Sequence, residues 1–261
     1  MTLNELDFYF NSILKKENYS ADPSRNGIQI QNSAPEKKQI KKVAFAVDAT
    51  LDTVTAAAEC GADVLFVHHG LFWDNVETLT YIHYARIAAF IKNDIALIGY
   101  HIPLDANEEV GNNFSIARAC EMKSLKKFCP WRGMEIGVKG KLPKSMSVEE
   151  LSEKILSNVR RQSPNAKPNQ ILAFGKKKIS TVGIVSGGAG GDHYWAWREG
   201  LDCYITGELG HSDFNPIKEE GMNVIAGGHY NTETFGVNSL RERLFEEKGV
   251  EGIFLDFPTN L

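Results

Sequence analysis

The chain has 261 residues, with 29 Lys and Arg against 33 Asp and Glu and a formal net charge of −4. Without an overall basic field, general nucleic-acid binding is disfavoured, and no apolar run approaches the ~18 residues of a membrane span. The length suits two modest α/β domains, each able to bury its own core.

Met1-Thr2-Leu3-Asn4-Glu5 lacks the basic start and apolar core of a secretory leader, so a soluble, cytoplasmic protein is expected. Thr2 and Glu5 form a capping box, and Leu3, Leu6, Phe10, Ile13 and Leu14 recur at helical spacing, which predicts an amphipathic helix. Ser24 to Ile30 reads as an Asn-Gly turn leading into a strand. Lys37, Lys38, Lys41 and Lys42 flank Ile40 as a solvated loop before a strand over Val43 to Val47. Asp48 and Thr50 offer caps to a helix over 51–60, and Gly61 ends it.

The apolar run Val64-Leu65-Phe66-Val67 then predicts a buried strand, completing a β-α-β unit with parallel strands. His68 and His69 stand at its end. Successive strand side chains point to opposite faces, so the two face one metal only if the backbone turns; otherwise each faces a different ion, which suggests a two-metal site. A helical pattern over Tyr81 to Ile91 precedes a strand over Ile95 to Tyr100. In His101-Ile102-Pro103-Leu104-Asp105, proline excludes a continuing helix, which assigns His101 and Asp105 to a loop.

Composition changes over Lys123 to Pro130, a basic connection near which a domain boundary is placed. The expected division is 1–124 plus 226–261, carrying the metal ligands, and 125–225. Within the second part, Ile136 to Leu142 reads as a strand, a capping box at Ser147 and Glu150 opens a helix to Val159, and 163–168 is a polar loop. Strands over Ile171 to Phe174 and Thr181 to Val185 follow. The latter empties into Gly187-Gly188-Ala189-Gly190-Gly191, with Asp192 placed to cap the next helix. Lacking a Gly-Lys-Ser/Thr ending, this loop is not a P-loop; it is either a ligand contact or a tight turn. Further strands over Asp202 to Thr206 and Val224 to Ala226 end at Gly207-Glu208 and at Gly227-Gly228-His229. A helix with Leu240, Leu244 and Phe245 inward leads to Ile253-Phe254-Leu255. Cys60, Cys120, Cys129 and Cys203 form no Cys-x-x-Cys pair and are read as reduced, mostly buried thiols.

Five candidate metal ligands therefore stand at the carboxyl ends of three predicted strands: His68, His69, Asp105, His229 and Glu233. Open α/β sheets bind ligands in the crevice at those ends. His229 and Glu233, four residues apart, share one face of a helix beginning there. Imidazole mixed with carboxylate suits zinc, iron, manganese, cobalt or nickel better than calcium or magnesium. A lone strand-end histidine is more often a hydrogen-bonded structural residue, and it is the clustering that favours ligation. His83 lies in a predicted helix and is not assigned as a ligand. His193 and His211 are open between substrate contact, support and surface; Asp63 and Asp74 read as turn residues; Phe72 and Trp73 are either core or a stacking platform.

At these residues the sequence resembles the dinuclear-metal family that includes YbgI and the Nif-three-like proteins, often named GTP cyclohydrolase one type two homologues. The matching stretches are Asn26 to Gln29, Val67 to Trp73, Gly99 to Asp105, Ser186 to Ala189, Ile205 to Glu208 and Gly228 to Glu233, in the family's order over nearly the whole chain. The resemblance implies two similar α/β halves with mainly parallel or mixed sheets, two metal ions in the cleft and a ring-shaped homohexamer. It further implies one ion on His69 and Asp105, the other on His68 and His229, and Glu233 bridging; no ligand position departs from the pattern. The reaction it implies is hydrolytic opening of a purine nucleotide with loss of formate, and His101 or Glu208 is the candidate for proton transfer. Two other readings stand beside it: a phosphoester or amide hydrolase, and a metal-binding scaffold or metallochaperone without turnover.

Overall fold

A computed structural model describes residues 1–75 and 77–261. In chain order its helices and strands are α1 (Leu3–Leu14), β1 (Gly27–Ile30), β2 (Lys42–Asp48), α2 (Leu51–Glu59), β3 (Val64–His69), α3 (Tyr81–Lys92), β4 (Ala96–Gly99), α4 (Ile102–Ala106) and α5 (Asn112–Ala119). There follow β5 (Lys123–Trp131), β6 (Met134–Met146), α6 (Val148–Val159), β7 (Gln170–Ala173), β8 (Ile179–Ile184), α7 (His193–Arg198), β9 (Cys203–Thr206), α8 (Phe214–Glu219), β10 (Asn223–Ala226), α9 (His229–Lys248) and β11 (Glu251–Phe254). Reciprocal capping boxes start α1 at Thr2 and Glu5 and α6 at Ser147 and Glu150, which satisfies helix-end N–H groups locally.

The chain divides into two compact units, Met1–Leu104 with Val237–Phe257 and Asp105–Gly236 with Pro258–Leu261. The lines between them fall at 104/105, 236/237 and 257/258, where the sequence reading draws them at 124/125 and 225/226. As a consequence His68 and His69 belong to the first unit, and Asp105, His229 and Glu233 to the second.

In the first unit the sheet order is β1-β4-β3-β2-β11. Strands β11, β2, β3 and β4 are parallel, while β1 pairs antiparallel with β4 at the edge. Strand β3 is apolar on both faces because both are covered. Leu65 and Val67 pack with Ala44, Val54, Phe90 and Leu97. Phe66 points the other way into a ring cluster with Phe10, Phe45 and Tyr100, at centroid distances of 4.8, 5.3 and 6.1 Å.

In the second unit the order is β5-β6-β8-β9-β10-β7. Strands β8, β9 and β10 are parallel and the outer pairings antiparallel. Its core packs Leu151, Ile155 and Val159 of α6 with Val182, Ile184, Ile205 and Ile225 of the sheet. Each unit is thus a mixed α/β layer with its own core. Among the described residues no helix is long and apolar enough to cross a membrane.

Four local expectations are corrected. Asp105 lies in α4 rather than in a loop, because Pro103 occupies the second helical position, where its missing N–H removes no helix bond. The basic segment over 123–130 is a strand, β5, paired in a hairpin with β6. Phe245 is 62 % exposed while Leu240 and Leu244 are buried, since one residue beyond Leu244 is about 100° around the helix. Asp192 makes no side-chain capping bond to α7.

Candidate metal centre

In the first unit, β3 delivers His68 and His69 at its carboxyl end. Fully buried His68 has Nδ1 3.1 Å from the Tyr100 carbonyl oxygen. A carbonyl only accepts, so Nδ1 carries the hydrogen and Nε2 the lone pair. His69 Nδ1 lies 2.8 Å from Asp48 Oδ1, at the matching register position of β2. His101, just before α4, has Nδ1 2.9 Å from Asp22 Oδ1. The three imidazoles each bring one ring nitrogen to within 4.8 Å of the others. That spacing suits one ion or a pair about 3.5–4 Å apart. The neighbouring histidine rings converge to a centroid distance of 4.6 Å because the strand ends at His69 and its alternation stops there.

The stretch Asn26 to Gln29 supports this end of the sheet. Asn26 Oδ1 accepts from the His101 N–H at 2.8 Å, and Asn26 Nδ2 donates to Asp22 Oδ2 at 2.9 Å. Gln29 Oε1 accepts from the N–H groups of Leu71 and Phe72 at 2.7 and 3.2 Å, which fixes the turn after His69. Gly70 leaves room for that contact: a Cβ there would stand 2.2 Å from the Gln29 amide nitrogen and displace the side chain. Trp73 presents its ring 5.0 Å from that of His101 at 74°, an edge contact beside the histidines rather than core packing.

In the second unit, buried Asp105 accepts at Oδ1 from Asn112 Nδ2 and from Ser186 Oγ, both at 2.9 Å. His229 opens α9, and its Nε2 is 3.2 Å from Oε1 of Glu233, one turn on, as the spacing predicts. On its other side His229 Nδ1 is 3.3 Å from Glu208 Oε1. Burial alone would lower the His229 pKa, but the Glu233 and Glu208 carboxylates outweigh it and raise it to about 9. Gly187, at φ +68°, permits this packing: a Cβ would sit 2.3 Å from Glu233 Oε1 and 3.2 Å from His229 Nε2. At Gly188 a Cβ would be 3.1 Å from Glu208 Oε1. The start of the glycine-rich loop therefore packs on the acidic donors of this unit. A pocket of about 350 Å³, lined by Lys167, Gln170, Glu208, Gly228 and Asn231, opens at the carboxyl ends of β9 and β10.

The residues left open resolve simply. His83 is buried in α3 with its ring edge on Phe72. His193 is buried between the Gly190 carbonyl and Glu220, at 2.9 and 3.2 Å. Asp63 accepts from the N–H groups of Lys41 and Lys42, and Asp74 pairs with Arg25. His211 is exposed in a short turn. Sequence reasoning missed Asp22 outright and read Asp48 as a helix cap, a place that Thr50 takes.

The donor set fits a divalent transition metal. His69 engages a carboxylate through Nδ1 and His68 a carbonyl, the support that orients metal-binding imidazoles and presents Nε2, while His229 lies between the Glu208 and Glu233 carboxylates. Buried Asp105 and Glu233 add oxygen donors.

Comparison with known proteins agrees. The family model described as Duf34/NIF3 (NGG1p interacting factor 3) matches residues 1–260. A Deinococcus radiodurans protein named "GTP cyclohydrolase 1 type 2 homolog" is 42 % identical over 240 residues, covering 92 % of this chain and 88 % of the relative. An Archaeoglobus fulgidus protein of the same name is 38 % identical over 261 residues, covering both chains fully. Among solved structures, protein ybgI superposes with a TM-score of 0.89 at 27 % identity, and TTHA1606 from Thermus thermophilus with 0.86 at 34 %, each over the full length of both chains. With a full-length match, close relatives and the same fold, the chain belongs to the Duf34/NIF3 family.

Proposed function

We propose that His68, His69, Asp105, His229 and Glu233 hold two divalent transition-metal ions and that the protein is a metal-dependent hydrolase. The observation that carries this reading is the shared support of the imidazoles, with Nδ1 of His68 and His69 each facing an oxygen so that Nε2 is the donor atom, and with His229 held between the Glu208 and Glu233 carboxylates. The family likeness supports one ion on His69 and Asp105, the other on His68 and His229, and Glu233 between them. Zinc, iron, manganese, cobalt and nickel all suit this donor set. Two such ions supply Lewis acidity, lowering the pKa of water and offsetting developing negative charge.

The chain's own residues do the rest. Asp48 and Glu208 orient His69 and His229; Asn112 and Ser186 hold the Asp105 carboxylate. His101 is the proton carrier of this reading. Glu208, at 3.3 Å from His229 Nδ1, acts first as an orienting group, with proton transfer at the pocket it lines as its second role. The substrate class is a small molecule, a purine nucleotide opened at its imidazole ring with release of formate, in line with the relatives' name. The proposed setting is a cytoplasmic ring-shaped homohexamer, six times the 29.0 kDa chain.

The test incubates metal-loaded protein with GTP. Metal-dependent formate release, lost in His69→Ala, supports the reading. No formate from protein that retains both ions removes the purine substrate, and a screen of phosphoesters and amides then separates another hydrolase from a scaffold or metallochaperone.

A further inference from the structure

His101 is held by a residue outside every motif singled out in the sequence. Asp22 is 7 % exposed, and its carboxylate accepts from three N–H groups: Ser24 N at Oδ1 (3.1 Å), and Ile102 N (3.0 Å) and Asn26 Nδ2 (2.9 Å) at Oδ2. The fourth contact is His101 Nδ1 at 2.9 Å from Oδ1. A carboxylate so surrounded accepts and does not donate, so the His101 nitrogen facing it must carry a hydrogen. The His101 backbone is pinned as well, since its N–H donates to Asn26 Oδ1. Trp73 closes one side of the ring, and the rings of His68 and His69 stand at centroid distances of 5.1 and 5.7 Å.

We infer that Asp22 is a positioning residue that fixes His101 in the Nδ1–H form, so that Nε2 presents its lone pair beside His68 and His69. The inference deepens the hydrolase reading, on which its functional meaning rests: it makes His101 an acceptor, at Nε2, for a proton from water or substrate. Burial works to raise the Asp22 pKa, but the hydrogen bond and charge of His101, joined by the Asn26 and Ser24 hydrogen bonds, hold the carboxyl below the usual range.

Asparagine at position 22 should invert the arrangement. The amide oxygen goes where two N–H donors converge, facing Ile102 and Asn26; the NH₂ then faces His101 Nδ1, which can only accept from it, and the Ser24 N–H loses its acceptor. The hydrogen moves to Nε2. The experiment is long-range ¹H–¹⁵N NMR of the imidazoles in metal-free, full-length protein, with the His101 signals assigned by their absence in His101→Gln. In the wild type the Nδ1–H form should predominate by at least about tenfold, the weight of one charge-assisted hydrogen bond; in Asp22→Asn the ratio should reverse. A wild-type ring with hydrogen on Nε2, or an unchanged ratio in a folded Asp22→Asn protein, overturns the inference. If Asp22→Asn does not fold, the wild-type spectrum decides alone. Metal content, measured separately, keeps this result distinct from failure of the hydrolase reading: a correct tautomer in a protein that binds no metal leaves the positioning intact and removes only its catalytic use.

Discussion

The two units support their donors in opposite ways. In the first, nitrogen donors are backed by carboxylates: His69 by Asp48 and His101 by Asp22. In the second, the oxygen donor Asp105 is backed by the neutral amide of Asn112 and hydroxyl of Ser186, and Glu233 is admitted by the missing side chain of Gly187. An acid behind an imidazole raises its basicity and sets its tautomer, whereas a neutral donor behind a carboxylate fixes its direction without adding charge. His68, backed by the Tyr100 carbonyl, departs from the pattern, and so does His229, which is flanked by carboxylates on both nitrogens and carries the raised pKa.

The comparison can be broken most severely at Gly187. Gly187→Ala forces a side chain into a left-handed φ, at a cost of about 1–3 kcal/mol, and drives its methyl into Glu233. Denaturant unfolding should show the loss, and metal analysis should show fewer ions per chain than in the wild type.

The second effect is a pH dependence of the metal-stripped protein. His229 has a folded pKa of about 9 against an ordinary 6.5, so its contribution is full below pH 6.5 and is lost as pH rises through 9. Stability should fall across that window with a slope approaching about 1.4 kcal/mol per pH unit. Glu233→Gln should flatten the fall; an unchanged slope would separate His229 from its acidic neighbour.

Smaller again is Asp48→Ala, which leaves the His69 ring in place but unsupported. Metal affinity should drop about 10–100-fold in a competition titration, with the fold unchanged by circular dichroism. Glu208→Gln should do least, less than about tenfold, because that carboxylate is 49 % exposed and 3.3 Å from its histidine. Equal losses from the two substitutions would show that burial does not grade the supporting acids.

What could be read from the sequence follows from what is local. The His-His strand end shows in four apolar residues and a glycine, and the His229–Glu233 pair shows in helical spacing, because both depend on neighbours along the chain. Two capping boxes were legible for the same reason. The supports were not. Asp22 meets His101 across 79 positions, Asp48 meets His69 across 21, and Ser186 meets Asp105 across 81, distances that only the folded sheets close. The helix at Asp105 escaped notice because proline argues against a helix interior but not against a first turn. The division into units was equally non-local, since two of its three lines fall inside α4 and α9 rather than in a linker.

The central claim is that these imidazoles and carboxylates are arranged to take up transition metal. Anomalous scattering from a metal-loaded crystal tests it most directly, reporting number, element and contacts together. The account predicts two ions in contact with His68, His69, Asp105, His229 and Glu233. A loaded crystal whose ions sit away from these side chains, or that retains none, would contradict it.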